Sequence, residues 1–367
     1  MTTASPGSSL PQQMRAALLI GYGGPNQLVV SDEVPVPVPG QDEVLIRVAA
    51  CGVNNTDINT RVGWYSASVA AATADGGFGV DDPVAAAWGS AAMQFPRIQG
   101  ADICGTVVVG PDHLVGCRVI VDPILRDPSD PDNRAQVGYL GSERDGGFAE
   151  YVCVPLSNLH PVRSELSDVE LAAIACSGGA AEHMLARAGV NAGETVVVTG
   201  ASGGVGTFLV QLARRRGARV IAVASAEKAD VVRAIGADAV VPREAPDLIA
   251  EVRAAAAGPI DVVADVVGGA AAFAGWLELL RVGGRYTTAG AIAGPMVQLD
   301  LRTLYLKDLS LFGATVFPSS LFADLVGYIE RGEVQPVVAA TFALGQIHEA
   351  QAAFARKAHT GSIVITL

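Results

Sequence analysis

The residues best placed to do chemistry form one run, Thr195-Val-Val-Val-Thr-Gly200-Ala-Ser202-Gly203-Gly204-Val205-Gly206, followed by Thr207-Phe-Leu-Val-Gln-Leu-Ala-Arg. An apolar strand enters a glycine turn and leaves as a helix. Gly200 permits the turn, Gly203 and Gly204 let backbone approach a pyrophosphate, and Gly206 lets the helix lie close on the strand. The helix N-terminus then points N–H groups and the positive end of its dipole at the phosphates. A glycine triplet alone is weak evidence, since such a turn need bind nothing. Here the helix stop at Gly217 and the next strand also fall where a dinucleotide site needs them.

The second strand sets the expected cofactor. A site selective for NAD places Asp or Glu at that strand end to hold the ribose 2′-hydroxyl. Arg219-Val-Ile-Ala-Val-Ala224-Ser225-Ala-Glu227-Lys228 offers Ala224 and Ser225 there instead. Ser225 can donate a hydrogen bond to a 2′-phosphate, and Lys228 and Arg243 can supply charge. Each cation taken alone reads equally well as solvated surface, and Glu227 argues the other way. Together they predict NADPH.

These residues need a scaffold, and the chain is long enough for two cored domains. From Met14 onward, short β-rich runs alternate with Gly/Pro/Asp turns, predicting an antiparallel, barrel-like unit. After Asp168 the pattern becomes apolar strands alternating with helices, which predicts βαβ units around a parallel sheet. The expected organisation is a flexible tail over 1–13, a barrel-like domain from 14–165 with 318–367, and a dinucleotide-binding domain over 166–317. Two long segments, 67–95 and 124–147, interrupt the barrel; loops of that length are usually functional or mobile.

Half of the 367 residues are hydrophobic, and the net charge is −12. Broad attraction to nucleic acid or anionic lipid is therefore not expected. The five scattered cysteines form neither a disulfide framework nor C-x-x-C pairs, as in a reducing, cytoplasmic setting. No apolar run is long enough to span a bilayer.

Beyond the glycine turn, Cys51-Gly-Val-Asn54-Asn-Thr-Asp57-Ile-Asn-Thr-Arg61-Val-Gly63-Trp-Tyr65 and the tail His359-Thr-Gly-Ser-Ile-Val-Ile resemble quinone oxidoreductases of the medium-chain dehydrogenase/reductase superfamily. The pattern N-x-x-D-x-x-x-R-x-G-x-Y is fairly specific. The resemblance runs from Met14 to the C-terminus apart from the two long segments. It implies an α/β fold, a doubly wound Rossmann sheet joined to a GroES-like barrel, and a homodimer or homotetramer, with the 309–316 strand extending the sheet across a two-fold axis. It also implies that Ala289-Gly290-Ala291 and Phe312-Gly313-Ala314 hold the nicotinamide carboxamide by their backbone, with Gly268 near the ribose.

Zinc members of the superfamily carry Cys where Asn54 stands, a His-Glu pair where Ala101-Asp102 stands, and a Cys or Asp near Cys176. Only Cys176 survives, and a catalytic zinc needs three protein ligands. No metal is expected, and Cys176 reads as a small buried thiol. Without zinc, the alkoxide of a simple alcohol lacks a strong counter-charge. Hydride addition to an enone, enal or quinone spreads the charge into an enolate or phenolate, which modest donors can hold. Asn54 and Tyr65 are the expected donors; otherwise Asn54 caps a turn and Tyr65 packs a wall. Asp57 and Arg61 are expected to pair at i,i+4 as scaffold. Trp64, Phe95, Tyr139 and Phe148 are candidates to line the cleft, and 67–95 to act as a lid. The alternatives are an NAD(P)-dependent alcohol dehydrogenase and a protein that binds NADPH without turnover.

Overall fold

A computed structural model describes residues 10–66, 68–73, 92–127, 129, 130, 133 and 137–367. Six parallel strands form one sheet in the order 239–242, 219–224, 195–198, 260–265, 280–288 and 310–313. The strands Thr195–Val198 and Ile260–Asp265 are buried along their whole length. That is why they read as continuous Val-rich runs rather than alternating ones. The chain order reverses between these two strands. In open α/β sheets the ligand crevice lies outside the carboxyl ends of the strands at such a reversal. Helix Gly204–Arg215 covers this point and buries Phe208, Leu209 and Leu212. Each fully buried side chain of that size contributes about 1.5–3 kcal/mol.

A second, mostly antiparallel sheet has the order 159–161, 118–121, 102–109, 43–53, 362–366 and 338–343, with 151–155 also pairing with 43–53. Its strand Ser362–Thr366 runs antiparallel to Glu43–Val53, so the chain's end returns to the sheet built by its beginning. A smaller sheet joins Leu28–Pro35, Gln13–Leu19 and Arg97–Ile98.

Between the barrel and the parallel sheet lie two helices, Asp168–Leu171 and Ala175–Arg187. The first has a Ser167/Glu170 capping box. The second begins beside a carboxylate from the barrel, Asp102, which accepts the Cys176 N–H. Among the described residues no helix is long and apolar enough to cross a membrane.

Candidate active site

The glycine turn takes the shape its residue types demand. Gly200 has φ +57°, in the left-handed region that favours glycine. Gly203 is the N-cap of helix Gly204–Arg215 and offers no side chain to satisfy the first-turn N–H groups. Those of Gly204, Val205 and Gly206 have no intrahelical acceptor and suit an anion. A Cβ on Gly206 would lie 2.1 Å from the Gly200 carbonyl oxygen. The C-terminal tail closes over the turn, with Gly361 N–H donating to the Ser202 carbonyl at 2.8 Å.

At the end of strand Arg219–Ala224, Ser225 is buried, and its hydroxyl donates to Glu227 Oε1 at 3.4 Å. A cavity of about 700 Å³ opens there, lined by Ser225, Glu227, Pro242, Glu244 and Glu251. Arg243 reaches this neighbourhood paired to Glu244 at 2.7 Å. Lys228 is buried; its ammonium donates to the carbonyls of Lys357 at 3.1 Å and His359 at 2.9 Å. Burial first, and then Arg243, lower its pKa, against Glu227 and Glu244. Two of its three N–H donors are thus used by the tail and one remains.

Lys357 carried no sequence signal, being one lysine in a tail. Its ammonium donates to Asn55 Oδ1 at 2.7 Å and sits 3.6 Å from the centre of the Phe354 ring. Burial pushes its pKa down to about 7. Among the described residues no carboxylate pairs with it.

The carboxyl end of strand Ile260–Asp265 is organised by Asp265, another residue the sequence did not single out. Its carboxylate accepts the hydroxyls of Thr199 at 2.5 Å and Tyr286 at 2.7 Å, and the N–H groups of Val267 and Gly268 at 2.9 and 3.0 Å. The turn it braces brings Gly268 against Ala291, where a Cβ would lie 2.9 Å from the Ala291 Cα, and a Cβ on Gly290 would lie 3.1 Å from the Val266 carbonyl oxygen. Ala314 N–H donates to Thr288 O at 2.9 Å, which sets Phe312-Gly313-Ala314 beside the Ala289–Ala291 segment. Gly268, Ala289, Gly290, Ala291, Phe312 and Gly313 therefore share one end of the parallel sheet.

On the barrel side, helix Asn55–Val62 presents the remaining candidates. Asn54 is its N-cap residue, and Gly63, at φ +73°, ends it by donating to the carbonyls of Asn59 and Thr60. The expected Asp57–Arg61 ion pair does not form. Asp57, in the first turn, folds back to accept the Asn54 N–H at 2.7 Å, while Arg61 donates to the Gly23 carbonyl at 2.8 Å. The Asn54 amide donates to Asp102 Oδ2 at 3.0 Å, and its Oδ1 lies 3.5 Å from the Ser177 hydroxyl. Ser177 in turn abuts Gly204, which ties this cluster to the glycine turn.

Tyr65 is half-buried; its hydroxyl is hydrogen-bonded by Thr56 and Asn59, and burial pushes its pKa up to about 12. Tyr139 is buried, its hydroxyl bonded to the Cys176 sulfur, and burial raises both groups. Asp57 and Asp102 rise to about 7 and about 6, also chiefly through burial. Of the four aromatics expected at the cleft, Tyr139 reaches Cys176 and Trp64 packs edge-on against Tyr65. Phe148 is fully buried in the barrel core, and Phe95 packs edge-on against Tyr22. Of the segment expected as a lid, residues 67 and 74–91 lie outside the described residues; Thr73 N–H donates to the Ile292 carbonyl at 3.2 Å. Among the described residues no group of three His, Cys, Asp or Glu side chains converges to hold a metal.

Residues 40–164 match the family model of the alcohol dehydrogenase GroES-like domain, and residues 204–331 that of the zinc-binding dehydrogenases. A solved structure from Sinorhizobium meliloti 1021, named "putative alcohol dehydrogenase", is 45% identical with a TM-score of 0.88, covering 98% of each chain. The chain is a medium-chain dehydrogenase/reductase. Within this superfamily it is alcohol dehydrogenase-like, with a GroES-like domain preceding the Rossmann sheet. It is also similar to two Sulfurisphaera tokodaii proteins. One is an NAD-dependent alcohol dehydrogenase, 27% identical over 92% of this chain and 95% of the relative. The other is an acryloyl-coenzyme A reductase, 28% identical over 93% and 97%. This dehydrogenase/reductase is accordingly an oxidoreductase of a family that uses nicotinamide cofactors.

Proposed function

We propose that this chain is an NADPH-dependent reductase that adds hydride to the conjugated carbon of an enone, enal or quinone without a catalytic zinc. The observation that carries this reading is the donor set at the three positions where zinc members bind metal. An amide stands at 54 and a methyl group at 101, and burial keeps the Cys176 thiol protonated. The neighbouring Asp102 carboxylate already accepts from Asn54 and Cys176. That set does not fit a catalytic zinc. It fits a substrate whose developing charge is delocalised. The acryloyl-coenzyme A reductase among its relatives acts on such a conjugated carbonyl.

When bound, NADPH supplies the hydride. The protein's own groups do the rest. The first-turn N–H groups of 204–206 hold the pyrophosphate, and Ser225, the remaining Lys228 donor and Arg243 face the 2′-phosphate. The backbone at 289–291 and 312–313 holds the carboxamide, with Gly268 at the ribose. Asn54 donates to the carbonyl oxygen of the substrate, and Tyr65 gives the proton that completes the reduction.

Purified protein should consume NADPH absorbance with a panel of enones, enals and quinones. Oxidation of simple alcohols with stoichiometric zinc would overturn the reading, and NADPH binding with no turnover across the panel would favour a sensing role. Tyr65→Phe is expected to lower kcat about 10–100-fold with NADPH affinity unchanged, at the lower end of general-acid effects because solvent also delivers protons. With the phenol near 12, wild-type kcat should show no tyrosine-dependent fall between about pH 7 and 10.

A homodimer belongs to the same proposal. The strand Ser310–Gly313 pairs with Leu280–Thr288 on one side and ends the six-strand sheet. Leu301, Tyr305 and Leu306, on the helix that precedes it in sequence, stand more than 60% exposed. An open edge next to an apolar patch is an association surface. Leu306→Glu with Leu311→Lys should shift the molar mass measured by light scattering to that of one chain; an unchanged mass sinks the two-fold sheet extension.

A further inference from the structure

Asp102 is 2% exposed and takes no part in the steps above. It opens the strand Asp102–Val109 and pairs in register with Gly52. A Cβ on Gly52 would lie 2.5 Å from the Ala172 carbonyl oxygen and 2.9 Å from the Asp102 Cβ, so nothing larger fits between strand and helix. The two carboxylate oxygens divide their work. Oδ1 accepts the Cys176 N–H at 2.5 Å, in the first turn of helix Ala175–Arg187, whose own N-cap residue is Ile174. An isoleucine side chain cannot accept a hydrogen bond, and the barrel carboxylate satisfies an N–H that would otherwise be orphaned. Oδ2 accepts from the Asn54 amide at 3.0 Å.

An asparagine amide has nearly the same shape when flipped, so its neighbours decide which end faces where. An ionised carboxylate only accepts. Beside it the Asn54 Nδ2 must point inward, because the flipped amide would set oxygen against oxygen. We propose that Asp102 is a positioning residue: it fixes the Asn54 amide so that the second Nδ2 hydrogen is a donor to the substrate carbonyl oxygen, and it locks the Cys176 helix start onto the barrel. This rests on the role given to Asn54 above.

The groups that face Asp102 are Asn54 and Asp57 from helix Asn55–Val62 and its cap, Cys51 from strand Glu43–Val53, Tyr139 from its short strand, and Cys176 from the helix. None is a cation. Burial holds its pKa at about 6, and a protonated Asp102 can donate, which releases the flip constraint. Turnover should therefore fall as pH drops through about 6, with NADPH affinity nearly constant and the fold not destabilised, since protonating a carboxyl whose folded pKa is raised favours the folded state.

The test compares Asp102→Asn, Asn54→Asp and the double exchange by enone turnover, NADPH fluorescence titration and thermal melting. In Asp102→Asn, kcat should fall about 30-fold, below the loss for deleting an oxyanion donor outright, with NADPH affinity within about twofold. In the double exchange, the amide now at position 102 can donate to the carboxylate now at position 54 and accept from Cys176, so the melting temperature should recover. Turnover should stay low, because the side chain at position 54 no longer has an N–H to give. Recovery of kcat together with melting temperature would overturn the proposal, as would an Asp102→Asn kcat within threefold of wild type. If Asp102→Asn does not fold, the acid limb of the wild-type enzyme decides, and a flat profile from pH 5 to 7 overturns it. No enone turnover by the wild type would instead sink the proposed function and leave the Asp102 contacts as structure.

Discussion

Gly206→Ala is expected to abolish measurable binding of either pyridine nucleotide, with a loss of at least about 100-fold, whereas Gly203→Ala should bind weakly but fold normally. On the proposed reading the two glycines adjoin the same phosphate cradle, but for different reasons. At Gly206 an added Cβ meets the Gly200 carbonyl oxygen at 2.1 Å and the Ala201 Cα at 2.7 Å, both of them backbone. No rotamer relieves that overlap, so the helix must move off the strand end. Overpacking of this kind costs about 1–3 kcal/mol, and the shift carries the first-turn N–H groups out of line with the pyrophosphate. At Gly203 the nearest atom is the same carbonyl oxygen, but at 3.4 Å, an ordinary contact, and its φ of −80° suits any residue. A methyl group there disturbs only what approaches from outside. Melting temperature and NADPH fluorescence together check the contrast. If Gly203→Ala binds as the wild type does, the pyrophosphate does not pass over this turn.

This contrast shows which parts of the site were legible in the sequence. The glycine turn is a local device, in which strand, turn and helix are consecutive and their residue types report the geometry directly. Lys228 was legible as a cation, but its anchors were not. They are carbonyls at 357 and 359, more than a hundred residues downstream, and backbone atoms leave no trace in residue type. Lys357 was silent because its partner, the Asn55 side chain, lies 302 residues upstream and meets it only in the folded chain. Asp265 gathers two hydroxyls and two N–H groups that only the folded sheet brings together. Asp102 registered merely as a departure from the zinc pattern. The Asp57–Arg61 pairing failed because a carboxylate in a helix's first turn finds the N-cap N–H nearer than a guanidinium one turn on.

In the fold, the central strand Thr195–Val198 was legible as an unbroken apolar run because it is buried on both faces, whereas the edge strand Ser310–Gly313 is largely exposed and carries no such signal. The helix Leu301–Leu306 escaped notice because it buries no residue and so has no apolar stripe to reveal it. Phe148 and Phe95 were candidates for the cleft wall, since an aromatic in a loop-rich segment looks alike whether it lines a pocket or fills a core.

The tail lysines supply the second large effect. Lys228→Met should weaken NADPH about 10–100-fold and leave NADH within about threefold, the range for losing one charge-assisted hydrogen bond. Lys357→Met should weaken both nucleotides by a similar factor. The difference follows from what surrounds each lysine. Lys228 lies among Ser225, Glu227, Arg243 and Glu244 at the second strand end, where only a 2′-phosphate distinguishes the two cofactors. Lys357 points instead to Asn55, next to Asn54, whose amide meets Ser177 beside Gly204. On the proposed reading that is the pyrophosphate side, common to both nucleotides. Its pKa of about 7 makes this contact pH-dependent, and the sign can be worked out. A bound phosphate stabilises the ammonium and raises that pKa, so binding takes up a proton wherever the free enzyme is deprotonated. Affinity is therefore full below about pH 7 and falls, by up to about tenfold per unit, as pH rises toward the pKa of the complex. Around Lys357 the other titratable groups are Lys228 and His359, and His359, held near 4, stays neutral throughout this window. Titrations of both nucleotides at pH 6 to 9.5 should show parallel slopes in the wild type and flat lines in Lys357→Met. A slope that survives the substitution would move the proton to another group. A loss confined to NADPH would place Lys357 at the 2′-phosphate.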